Sequence, residues 1–137
     1  MATRSIIAID TGFGIEGVYC HWDGSPCTRG PILLSGYQYR ETVRKLISGG
    51  SISSLGLMIE PTGKHSFDNP QENVTVYYHR DRGENWANVK PGKFATQDDL
   101  KQHDYAYLFT IDNEWIYSAE SWNHWEKLTS INEFSAR

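Results

Sequence analysis

Cysteine is nearly missing from this chain, with Cys20 and Cys27 the only two in 137 residues. So few exclude a disulfide-stapled scaffold and make free thiols in a cytosolic setting the expectation. Long apolar runs are missing too. None approaches the roughly 18 to 20 residues that cross a bilayer, so no membrane partner is expected. The opening MATRSIIAID meets charge again before any apolar stretch of signal-peptide length, which argues against export. A basic excess is also lacking: 13 Lys and Arg face 17 Asp and Glu, for a net charge of −4. That removes the footprint of a general nucleic-acid binder. The acids are interspersed with bases, which excludes a surface imitating duplex DNA. No repeat, low-complexity tract, phosphate loop or cofactor motif occurs, and no cofactor is expected.

What the chain has in quantity is rings. Five Trp and eight Tyr argue for a packed interior, and the length suits one domain over residues 1–137. SIIAID, then TGFG, then IEGVYCHW reads as a hairpin, with Val18, Cys20 and Trp22 on one face and Tyr19 and His21 on the other. From Pro31 to Ile47 the spacing of Tyr39, Val43, Leu46 and Ile47 predicts a helix face. Gly36 is a break point, and Gly49 and Gly50 form the stop. Residues 51–70 read as a long loop with at most one short strand, and with Leu55, Leu57, Met58 and Ile59 against the core. Asn73 to Arg80 alternates and predicts a strand. Thr96 and Asp99 form a variant capping box opening a short helix over about 97–103. YAYLFTIDNEWIYSAE predicts a tight hairpin around Asp112-Asn113, and WNHWEKLTSINEF is undecided between strand and helix. Together these predict an α+β fold, a single antiparallel sheet with one or two helices on one face.

Two polar stretches invite a chemical reading. VYCHWDGSP ends a strand in His21, Trp22 and Asp23. YYHRDRGEN brings His79, Arg80, Asp81, Arg82 and Glu84 to the end of another. If those strands are neighbours, these residues gather on one rim, a common position for a site. Arg80 and Arg82 suit phosphate or carboxylate, and Tyr19, Trp22 and Trp86 would stack on a base. In a hydrolytic form His21 and His79 would be acid and base. A metal-dependent nuclease on Asp23, Asp81 and Glu84 is a weaker option, which the negative net charge disfavours. The bland alternative is a solvated charged turn. Cys20, His21, Cys27 and His65 lack the ligand spacing of zinc knuckles, His79-Arg80-Asp81 lacks the companions of a kinase catalytic loop, and neither Ser25 nor Cys27 is framed as a nucleophile. Trp115, Tyr117, Trp122 and Trp125 form a second aromatic set, weighed as core filling against interface.

Five blocks, MATRSIIAI, GVYCHWDGSP, ISSLG, YYHRDRGEN and YAYLF with NEWIY, come in an order that resembles a family of small proteins encoded by bacteriophages and other mobile elements. Where those proteins carry an aspartate-glycine turn before the closing tryptophan, this chain has Asp112-Asn113-Glu114. The resemblance implies expression in a bacterial host cytoplasm and a host-takeover or counter-defence role of the anti-CRISPR kind. Its partner would be a host protein or nucleoprotein complex, blocked by stoichiometric binding rather than by catalysis. The rival expectation is a pocket on the HWDG and HRDRGE turns that sequesters or hydrolyses a small phosphorylated nucleotide.

Overall fold

A computed structural model describes residues 2–129. β1 (Ser5–Asp10) and β2 (Ile15–Cys20) form the expected antiparallel hairpin, with Ile7 opposite Val18. The helical stretch is two helices, α1 (Pro26–Gly36) and α2 (Arg40–Ser48), divided after Gly36. Val43, Leu46 and Ile47 are buried as the spacing predicts. Tyr39 lies just outside α2 and points to solvent. β3 (Ile52–Ser54) then opens the long loop, which returns at β4 (Val76–Tyr77). In that loop Leu55 and Ile59 pack on the core, whereas Leu57 and Met58 are exposed.

The strand expected over Asn73 to Arg80 is cut to β4, and the chain turns at once into α3 (Tyr78–Arg82). The Asp81 carboxylate explains the turn: its Oδ2 accepts the Tyr77 N–H at 2.8 Å, so the donor that would have continued a ladder is satisfied locally. After α4 (Trp86–Val89) and β5 (Gly92–Phe94), residues Gln97–Leu100 make a 3-10 turn, shorter than the predicted helix. The Thr96 N–H donates to Asp99 Oδ2 at 3.1 Å, the expected box. β6 (Tyr105–Phe109) and β7 (Trp115–Ala119) form the second hairpin, and β8 (Glu126–Lys127) settles part of the undecided segment as strand. The end of that segment, residues 130–134, lies outside the described residues.

The fold is α+β. Among the described residues the eight strands form one sheet in the order β4-β3-β2-β1-β6-β7-β8, with β5 on the first half of β2. The sheet is mixed rather than purely antiparallel, because β1 and β6 run parallel, as do β2 and β3. The second of these pairs is closed by the crossover through α1 and α2, the kind of connection a parallel pair requires. Both helices cover the face that carries Ile7, Val18, Ile52, Tyr107 and Tyr117. On the opposite face a smaller cluster of Ile6, Ala8, Ile15, Ala106 and Leu108 is closed by Leu100, with Tyr19, Phe94 and Trp125 at its margin. Among the described residues no helix is long and apolar enough to cross a membrane.

Candidate functional site

The two polar stretches do not form one rim. β3 stands between β2 and β4, with Cys20 paired to Ile52 and Ile52 to Tyr77, so the two strands the sequence suggests as neighbours are next-but-one. The imidazoles also diverge. His21 Nδ1 meets the Tyr19 hydroxyl at 2.6 Å, and Tyr19 lies at the margin of the smaller cluster. His79 lines a cleft of about 390 Å³ with Lys45, Ser48 and Gly49, on the side covered by α2. A shared acid-base pair of His21 and His79 is therefore replaced by two separate surroundings.

The HRDRGE stretch is spent on its own architecture. Arg80 donates from Nη1 to the Ile59 carbonyl at 2.7 Å and from Nη2 to the Thr75 carbonyl at 2.7 Å. Its Nε and Nη2 also grip Asp81, at 2.8 and 3.0 Å. Asp81 additionally faces His65 at 3.2 Å, with side-chain exposures of 6% and 3%. The backbone N–H of Gln71 donates to His65 Nδ1 at 3.0 Å, so the neutral ring carries its proton on Nε2 and gives it to Asp81. No nitrogen of His65 is left for base chemistry. Burial works to raise the Asp81 pKa, but the bonds from Arg80, the Tyr77 N–H and His65 outweigh it and hold the carboxyl below its ordinary value.

The other members are also engaged. Arg82 reaches Glu84 from Nε at 2.9 Å and rests on the Phe67 and Tyr78 rings, 4.7 and 4.8 Å from their centroids. His79 Nδ1–H donates to the Glu84 carbonyl at 2.8 Å while its ring meets Trp86 edge-on. Trp22 and Asp23 are exposed at the end of β2, with Trp22 against the His21 ring at 4.7 Å. Among the described residues no three His, Cys, Asp or Glu side chains come together to hold a metal. Trp115 and Tyr117 are core residues, while Trp122 and Trp125 are partly buried beside it.

Among the described residues the most exposed aromatic lies elsewhere. Phe13, in the β1-β2 turn, is fully open to solvent at 101%. Its backbone is nonetheless held. The Thr11 N–H donates to the Gly14 carbonyl at 2.8 Å, the Gly12 N–H to Asp10 Oδ1 at 2.9 Å, and the Phe13 N–H to Thr11 Oγ1 at 3.2 Å. Gly12 and Gly14 supply φ values of +86° and +147°, open to glycine and costly elsewhere. Ile111, 55% exposed on the neighbouring turn, comes within 3.4 Å of where a Gly12 side chain would begin. Arg40 clamps the two turns, donating to the Asp10 carbonyl at 2.8 Å, the Thr110 carbonyl at 2.6 Å and Asn113 Oδ1 at 2.9 Å. Tyr39, 72% exposed, precedes it.

No family model, curated protein or solved structure matches the chain. A single exposed apolar side chain is ordinary; a fully exposed phenylalanine on a pinned turn beside an exposed isoleucine has the anatomy of a binding anchor. Next to Phe13 a cleft of about 450 Å³ opens between Ile15, Glu16, Lys93 and Phe94. Sequence reasoning passed over Phe13 because TGFG reads as turn material. The available signal was an aromatic ring between two glycines, a position where nothing local can bury it.

Proposed function

We propose that this protein is a non-catalytic binding protein that acts by stoichiometric attachment to one partner, a component of a bacterial host whose work it blocks. The observation that carries the reading is Phe13, fully exposed on a turn whose backbone is fixed by hydrogen bonds. A rigid anchor costs little to order on binding, and preorganisation of this kind separates tight interfaces from weak ones of equal area. The fates of Arg80, Asp81 and Arg82 support the same reading, since their charge is used inside the molecule. The bacterial setting is the implication of the resemblance to phage-encoded proteins.

Affinity purification of the wild-type chain and of Phe13→Ala from bacterial cells tests this. A single partner retained in near one-to-one ratio by the wild type and lost from the variant is the expected result. Equal retention by both removes Phe13 from the interface.

A second reading, a pocket for a phosphorylated nucleotide, is favoured by the cleft where His79, Arg80 and Trp86 meet. Trp86 offers a ring for stacking. The phosphate arm would fall to Lys45, which faces Glu60 at 3.6 Å across the same cleft.

A further inference from the structure

We infer that Arg29 forms a buried site for a small inorganic anion of halide size, beneath the turn that carries Trp22 and Asp23. Arg29 is in the first turn of α1 and is 0% exposed. A guanidinium stays protonated in proteins, so a full positive charge has been taken out of water. Its Nη2 donates to the Trp22 carbonyl at 2.5 Å, while Nε and Nη1 have no hydrogen-bond partner among the described residues. No ion pair among the described residues includes it. Buried charges persist in folded proteins when something pairs with them.

The surroundings add positive potential instead of cancelling it. α1 has 11 residues, no acid in its first turn and no side-chain cap from Ser25, so its amino end presents partial positive charge to the same region. The nearby phenols offer no anion. Burial pushes both Tyr107 and Tyr37 above the ordinary tyrosine value, with Arg29 pulling the other way, and both remain neutral. The Tyr107 hydroxyl already donates to the Gly24 carbonyl at 2.5 Å.

A second orphan lies beneath the same turn. Ser5 Oγ is buried without a partner among the described residues, and Ser5 Cβ is 3.1 Å from where a Gly24 side chain would begin. Arg29, Tyr107 and Ser5 thus converge on the backbone from Trp22 to Gly24. Unused guanidinium donors and a buried serine hydroxyl together describe an anion site. Water would satisfy the donors and leave the charge uncompensated; an anion answers both. Arg29 and Ser5 are both fully buried, which favours the smallest occupant, a monatomic ion, with chloride as the natural one. Occupancy would fix the turn that presents Trp22 and Asp23.

Crystals of the full chain soaked in sodium bromide test the site directly, because bromide replaces chloride and scatters anomalously. An anomalous peak in contact with Arg29 Nη1 or Nε and Ser5 Oγ is expected. In solution the melting temperature should rise by about 5 °C for each tenfold increase in chloride above the dissociation constant, with sodium gluconate holding ionic strength. Arg29→Met should lose that dependence, and Ser5→Ala should weaken it, which keeps the test open if the first variant fails to fold. Water or a protein carboxylate against the guanidinium with no bromide peak overturns the proposal. So does a wild-type melting temperature that is the same in chloride and gluconate.

Discussion

Asp81 illustrates how a residue that reads as chemistry can be consumed by structure. Its carboxylate accepts from the Tyr77 N–H, from His65 and twice from Arg80, and its side chain is nearly buried. Asp81→Ala strands those donors and should cost about 2 to 3 kcal/mol in urea unfolding at neutral pH. The pH dependence follows from the direction of the shift. With the folded pKa below the unfolded value of about 3.9, the contribution is complete above that value and is lost as pH falls through the folded pKa. The stability gap between wild type and Asp81→Asn should therefore stay level from pH 7 to about 5 and shrink below about 4. Gly49 is a second residue whose identity is set by a neighbour. A Cβ there would stand 2.4 Å from the Tyr77 ring, so Gly49→Ala should cost about 1 to 3 kcal/mol by thermal or urea melts.

At the scale of elements, the most legible parts were those coded locally. Alternation on either side of TGFG and of Asp112-Asn113 specified both hairpins, and the Asn113 φ of +64° is the backbone state that turn composition anticipates. The strand over Asn73 to Arg80 failed because alternation persists in the letters while Asp81 captures the Tyr77 N–H and closes α3. That capture is reinforced by His65, which reaches Asp81 from the folded loop, a contact no local window contains. The same elements carry two further predictions. Phe13→Ala removes a fully exposed ring and should leave stability within about 0.5 kcal/mol of wild type by urea melts, while weakening partner binding by about 2 kcal/mol, roughly thirtyfold, by titration calorimetry. Arg40→Ala should release both turns that it clamps, read as faster amide exchange at Asn113 and at Thr11, whose N–H groups close those turns.

For the whole molecule, the sheet's antiparallel hairpins were readable and its parallel pairings were not. β6 joins β1 across nearly a hundred residues, and the placement of β3 between β2 and β4 depends on the α1-α2 crossover. That insertion separates the strand ends that carry His21 and His79, whose environments also fall on different sides of the sheet. A molecule arranged this way pairs the charges of its HRDRGE stretch with its own groups and leaves Phe13 open to solvent. Common nucleotides should accordingly leave the melting temperature unchanged, since a ligand at a hundredfold excess over its dissociation constant would add about 2.7 kcal/mol and be seen at once. The central claim, that Phe13 is the anchor of a stoichiometric complex, is tested most directly by placing a photo-reactive phenylalanine at position 13, and separately at position 86, in bacterial cells. A single discrete adduct from position 13 and none from position 86 is the predicted result. An adduct from position 86 with none from position 13 would contradict the account and move the site to the cleft of His79 and Trp86.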